Sequence, residues 1–222
     1  MKIAVIGSGI SGLSAAYYLS KKHKVDLFEK DDHLGGHAYT LKIPYDYKKE
    51  VAIDLGFMVF NKKTYPNLIN FFLENKIEIE KSNMSFSVKV EGSSIEYCGR
   101  GLNGIFTNKK NLFKPKFIKM FFEIISFYNN CEKMNIDIND KSTLGEYLKK
   151  IKISEYFIKY HLIPMVSAIW SMPPYESSQM PLKFFLNFFK NHGLFKLKNR
   201  PQWYTVANRS KSYVDKIVNQ IS

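Results

Sequence analysis

The sequence predicts an α/β fold that carries an inserted α+β domain, largely helical. Three observations predict it. A short apolar run, Lys2 to Ile6, leads into a glycine turn and a helical repeat, and a second strand follows at 24–29. Segments 84–90 and 93–97 alternate around Glu91-Gly92 as the arms of a β-hairpin do. From Gly101 to Lys150 the apolar residues mostly recur at helical spacing. The 222 residues, 45% hydrophobic and 15% aromatic, suffice for one large or two modest domains. The expected division is an α/β part over 1–82, the inserted domain over 83–204, and a return toward the first domain over 205–222.

The glycine turn comes first. GSGISG places Gly7, Gly9 and Gly12 in G-x-G-x-x-G spacing between a strand and a helix on which Ile10, Leu13, Ala16 and Tyr17 repeat. The second strand ends at Glu29, 20 residues after Gly9. Strand, glycine turn, helix, strand and acid together form the dinucleotide fingerprint. Gly7 allows the tight turn. Gly9 lets backbone approach a pyrophosphate seated on the first N–H groups of the helix, those around Ile10 and Ser11. Gly12 permits close helix–strand packing. Glu29, followed by Lys30, is placed to accept hydrogen bonds from ribose hydroxyls. A carboxylate there repels a 2′-phosphate, so a plain adenosine ribose is favoured. The fingerprint alone does not separate NAD from FAD.

A second glycine pair, Gly35-Gly36, follows the acid within the stretch FEKDDHLGGHAYT. This resembles the GGR-x-x-T signature of the two-dinucleotide-binding flavoproteins, with His37 in place of Arg and Thr40 closing the motif. The resemblance implies a Rossmann-like FAD-binding domain, the added loop passing close to the pyrophosphate and ribityl chain of FAD. Residues 51–61, VAIDLGFMVFN, resemble the D-x-G segment of amine-oxidase-like and phytoene-desaturase-like flavoproteins. That likeness implies Asp54, Gly56 and Phe57 near the flavin. Further stretches, VFNKKTYPNL, MSFSV, LIPMVSAIWSMP and NHGLFKLKNRPQWYTV, resemble one branch of that superfamily, often encoded near cyclopropane-fatty-acid-synthase-like enzymes. The resemblance implies an FAD-dependent oxidoreductase that takes a hydride from a lipid or acyl-chain substrate. Amine oxidation and an inactive flavin-binding protein stand as alternatives. Members of the superfamily are roughly twice as long, and the last residues read as an unfinished amphipathic helix, Tyr213, Ile217 and Ile221 sharing a face with Val214 and Val218. C-terminal truncation is therefore expected.

Elsewhere the helix of residues 65–75 has Pro66 in its first turn, and 77–80 reads as a short strand. A helix from Pro115 is expected to bury Ile118, Phe121, Phe122 and Ile125. Around its start, Lys109, Lys110, Lys114, Lys116 and Lys119 interleave with Phe106, Phe113 and Phe117, and residues 183–200 show a similar mixture. Such a mixture suits either an ordinary amphipathic helix or peripheral contact with a membrane surface.

The formal net charge is +13, carried almost wholly by lysine, since arginine occurs only at 100, 200 and 209. With arginine so scarce and no binding module recognisable, nucleic acid is not an expected partner. Cys98 and Cys131 have no metal-like spacing, so neither a zinc site nor a disulfide framework is expected, and a cytoplasmic location, with contact at the inner face of the membrane, fits best. No apolar run approaches the ~20 residues of a membrane span, and the oligomeric state is not legible. Flavin chemistry asks little of side chains, so no catalytic acid or base is named. His161 and His192 are candidates for lining a substrate cavity, as are Met165, Trp170, Trp203 and Tyr204, each competing with a purely packing role.

Overall fold

The computed structural model describes residues 1–47, 49–137 and 139–221 and divides into two compact units, 1–84 with 202–222, and 85–201. In the first unit β1 (Lys2–Ile6) and β2 (Lys24–Phe28) pair in parallel, from Lys2 opposite Lys24 to Ile6 opposite Phe28. The crossover between them is α1 (Ile10–Ser20), whose Leu13 and Ala16 are fully buried. This register sets the residues just past the two strand ends, Gly7-Ser8 and Glu29, side by side. An antiparallel hairpin follows, β3 (Ala38–Asp46) with β4 (Lys49–Gly56), in which Thr40 faces Asp54 and Ala38 faces Gly56. Next come β5 (Phe60–Asn61) and α2 (Pro66–Glu74), with Pro66 in its first turn as the sequence indicates. Strand β6 (Ile79–Ser82) starts two residues later than the sequence suggests, because Ile77 still belongs to the close of α2. Its N–H reaches back to the Phe72 carbonyl at 2.8 Å and Lys76 takes the left-handed conformation, φ 50°, that such a helix end requires.

The second unit opens with the hairpin β7 (Ser87–Lys89) and β8 (Glu96–Cys98), then α3 (Gly101–Ile105) and a 3₁₀ turn at Lys109–Phe113. Helix α4 (Pro115–Lys133) buries Phe117, Met120, Ile124, Phe127, Tyr128 and Cys131. The expected stripe 118/121/122/125 is rotated relative to this face, and Phe122 is 62% exposed. Two adjacent stripes of this helix are apolar, and spacing alone does not choose between them. Helix α5 (Leu144–Lys150) starts at a reciprocal Thr143–Glu146 capping box. Next, α6 (Glu155–Phe157), a π-helical turn at Ile158–Leu162, and α7 (Ile163–Trp170) form one interrupted helical path. Helices α8 (Pro174–Ser177) and α9 (Leu182–Asn191) complete the unit. Its centre is a cluster of rings: Phe127 lies 5.2 Å from Phe157 and Phe185 lies 4.3 Å from Phe189, centroid to centroid.

The chain then returns to the first unit. Strand β9 (Trp203–Val206) enters antiparallel between β5 and β6, and α10 (Ser210–Ile221) follows. Tyr213, Val214 and Ile217 are buried, the face that the sequence assigns to this helix, and they join Leu13, Phe60, Phe71 and Phe72 in one core. Among the described residues, no helix is long and apolar enough to cross a membrane.

Candidate dinucleotide site

The glycine turn is built by close backbone contact. A Cβ on Gly12 would lie 1.8 Å from the Gly7 carbonyl oxygen, so only glycine lets α1 sit this near the end of β1. Gly9 is the residue before the helix, and nothing lies within 4 Å of where its Cβ would be. The first-turn N–H groups, at Ile10 and Ser11 among others, have no partner inside the helix, and no acidic residue in that turn offsets the positive end of the helix dipole. Backbone donors and open space on the same side make a cradle that a phosphate group fits.

The Gly35-Gly36 loop comes to the same place. A Cβ on Gly36 would lie 3.1 Å from the Gly9 Cα, so the two glycine segments meet backbone to backbone. Gly35 is buried, and a Cβ there would lie 2.8 Å from a methyl of Val214 on α10. His37 is exposed; its carbonyl accepts from the Phe57 N–H at 2.9 Å, and Gly56 backs onto that same carbonyl.

Glu29 is more committed than the sequence suggests. Its Oε2 accepts from the Ser8 N–H at 2.8 Å and the Ser8 hydroxyl at 2.6 Å. Its Oε1 accepts from the N–H groups of Lys30, at 2.8 Å, and Asp31, at 3.2 Å. The Ser8 hydroxyl in turn accepts from the Gly35 N–H at 3.0 Å. The donation from Ser8 and the two following amides pull the Glu29 carboxyl down from 4.5 to about 2. Ser8 is thus the hinge of the site: it ties the glycine turn, the acid and the second glycine pair together. Sequence reasoning passed over it, although its place between Gly7 and Gly9, opposite a strand-end carboxylate, was the available signal. Lys30 contributes its N–H to Glu29, and its side chain is exposed.

Thr40, Asp54 and Phe57 gather elsewhere in the unit, at the start of α10. The Thr40 hydroxyl donates to Asp54 at 2.6 Å and accepts from the Lys211 N–H at 3.0 Å. Asp54 also accepts from the Ser210 N–H, at 3.0 Å to each oxygen, and from the Ser210 hydroxyl at 2.9 Å. A carboxylate therefore caps α10, where the helix dipole favours it. Phe57 stacks on Phe60 with centroids 5.8 Å apart. Of the side chains suggested for a substrate cavity, His161 and Met165 line one in the second unit. His192 closes α9, its Nδ1 2.9 Å from the Phe188 carbonyl, and Trp170 lies among Phe184, Phe188 and Phe189. Trp203 and Tyr204 belong to β9 of the first unit.

Residues 5–74 match the NAD(P)-binding Rossmann-like domain. The chain is 48% identical over 52 residues to prenylcysteine oxidase 1 of Rattus norvegicus, 21% of this chain and 10% of that protein. It is 51% identical over 57 residues to a 4,4'-diapophytoene desaturase of Staphylococcus aureus, 25% of this chain and 10% of that protein. The fold over the whole chain is similar to cyclohexylamine oxidase from Brevibacterium oxydans, with TM-score 0.63, 19% identity and 49% of that chain covered. The chain thus spans about half the length of such solved structures and aligns with a tenth of the curated relatives.

Proposed function

We propose that this chain binds FAD and serves an FAD-dependent oxidoreductase of the amine-oxidase and desaturase type, a reading supported by the match of residues 5–74 to the NAD(P)-binding Rossmann-like domain and by the short stretches shared with an oxidase and a desaturase. The observation that carries the proposal is the meeting of Gly9 and Gly36 over the N-terminus of α1, with Glu29 beside them. A single glycine turn suits any dinucleotide. The second glycine loop, held by the Ser8 hydroxyl, extends the cradle as the longer cofactor requires.

In this reading the N–H groups around Gly7, Gly9, Ile10, Ser11 and Gly12 hold the pyrophosphate, and Glu29, next to Lys30, faces the adenosine ribose. All four acceptor positions of that carboxylate are already used, so a ribose hydroxyl shares Oε2 with the Ser8 hydroxyl or displaces it. Gly35, Gly36 and His37 line the path beyond the pyrophosphate. Thr40 and Asp54 act at a remove: they lock the β3–β4 hairpin to α10, and the hairpin carries Gly56 and Phe57 toward the flavin side. Bound flavin supplies a hydride acceptor, and the protein's part is to hold it and position a donor carbon. The relatives' names pair oxidase and desaturase chemistry with prenylcysteine and diapophytoene, which supports a small-molecule or lipid-like donor.

Peripheral membrane contact at the inner, cytoplasmic face belongs to the same proposal. Lys109, Lys110 and Lys116 are exposed beside Phe113, itself 86% exposed.

The direct test is to incubate the chain with FAD, desalt it and record the visible spectrum, with NAD as the parallel ligand. Retained flavin bands are expected. Retention of NAD alone would transfer the site to a nicotinamide nucleotide, and retention of neither would defeat the proposal.

A further inference from the structure

The second unit contains a cavity of about 590 Å³, bounded wholly by residues of that unit. This lies within the 300–1,000 Å³ range of small-molecule sites. Its wall is mostly apolar, with Phe86, Ile105, Phe121 and Ile125 among the lining residues, and its exposed lining residues include Leu102, Leu197, Lys198 and Arg200. Among the described residues that line it, Lys198 and Arg200 are the only formally charged ones, and none is a carboxylate.

The polar groups in the wall satisfy one another. Pro164 lacks the N–H that a regular helix would direct to the Tyr160 carbonyl, and the Tyr97 hydroxyl donates there instead at 2.7 Å. The Tyr97 oxygen lies 2.9 Å from His161 Nδ1, and the Tyr128 hydroxyl 2.9 Å from Nε2. Burial holds the imidazole down to about 3, so the ring is neutral. With the Tyr97 proton committed to Tyr160, Nδ1 carries the ring hydrogen, and the one Tyr128 hydroxyl proton is shared by Nε2 at 2.9 Å and the Met165 sulfur at 3.2 Å. No donor is left over in this chain of bonds for a polar ligand, which gives the inner wall an apolar character. Arg200 lines the same cavity as Tyr128, and its charge opposes the upward push of burial on the Tyr128 hydroxyl.

We propose that this cavity binds a single aliphatic chain bearing an anionic head, the chain against Phe86, Ile105, Phe121 and Ile125 and the head at Lys198 and Arg200. As a substrate assignment this rests on the flavoprotein reading above; as a binding site it does not. Charge decides the class: an ammonium head would meet two like charges and no carboxylate, so an aliphatic amine is excluded by the same surface that attracts a carboxylate or phosphate.

The test is calorimetric titration of the full chain, with and without FAD, using dodecanoate, dodecyl phosphate and dodecylamine below their aggregation concentrations. The two anions are expected to bind, and the amine at least about tenfold more weakly. Comparing the two anions tells a free carboxylate from a phosphate head. Combining Lys198→Glu with Arg200→Glu should weaken anion binding at least about tenfold and improve amine binding, and Ile125→Trp, which fills the cavity, should remove both. Equal binding of amine and anions, or anion binding indifferent to the charge reversal or to the filled cavity, would overturn the proposal. Binding of FAD is read separately from the flavin spectrum, so failure here leaves the flavoprotein reading standing, and the converse holds.

Discussion

Glu29 and Ser8 show how one carboxylate can organise three segments that are distant in sequence. Two parallel strands end level, so a serine after one and an acid after the other must be neighbours. The sequence made Glu29 visible because acid and glycine turn stand at a recognised spacing. It did not reveal that the oxygens would be occupied by Ser8, Lys30 and Asp31, since this depends on how the loop after β2 folds back. The sign of the pH effect follows from the lowered carboxyl. The folded protein favours the ionised form, so the contribution of Glu29 is complete above about 4.5, declines as pH falls below it, and is lost as pH passes down through about 2. Comparing thermal melts of the wild type and Glu29→Gln should give a stability difference at pH 7 that shrinks below pH 4.5. At neutral pH the same variant should bind FAD at least about tenfold more weakly, the scale of a hydrogen bond to a charged group. A stability gap independent of pH would refute the role given to the ionised carboxylate.

Among elements, legibility depended on distance along the chain. The unit β1–α1–β2 was readable because apolar spacing, glycine positions and the strand-end acid are all local and all agree. Helix α2 was readable for the same reason, Pro66 marking its start. The partners of β9 were not, because Phe60 meets Tyr204 and Glu80 meets Thr205 only through chain reversals that no local pattern encodes. Motif likeness marked out Thr40 and Asp54, but nothing near them pointed to Ser210, and it is α10 that uses their oxygens. The π-helical turn before Pro164 was invisible likewise, although the proline itself was in view. Asp54→Ala should therefore act first on α10. It removes the carboxylate that bonds the Ser210 N–H and accepts from Thr40, and the expected loss is about 1–2 kcal/mol, as for other helix caps. Chemical denaturation would measure it, and hydrogen exchange should show the amides of 210–214 losing protection before those of α1. Uniform loss over the whole first unit would mean that Asp54 supports more than this helix.

For the whole molecule, the excess of positive charge needs a surface on which to act. Two stretches mixed lysine with phenylalanine in the sequence, and the structure treats them differently. In 183–200, Phe185, Phe189 and Phe195 are buried and belong to the core, Phe184 is half exposed, Lys190 is engaged with the Met134 carbonyl, and of the lysines only Lys198 is exposed, so the stretch presents no continuous basic face. In 106–119 the rings divide: Phe117 is buried, while Phe113 and the neighbouring Leu112 are exposed beside Lys109, Lys110 and Lys116. Lys114 is engaged with the Ser94 hydroxyl and stands apart from the group. An exposed ring flanked by mobile ammonium groups has the composition that binds at an anionic bilayer surface, the ring at headgroup depth and each lysine contributing about 1 kcal/mol. The triple exchange of Lys109, Lys110 and Lys116 for Glu should then lower co-sedimentation with phosphatidylserine-containing vesicles at least about tenfold, and Phe113→Ala should lower it further. Raising the salt should release the wild type from the same vesicles, since exposed charges are screened within a Debye length of about 10 Å at 0.1 M. If the triple variant sediments as the wild type does, or if neutral phosphatidylcholine vesicles bind equally well, this surface has no part in membrane contact and the charge is only a solvated coat.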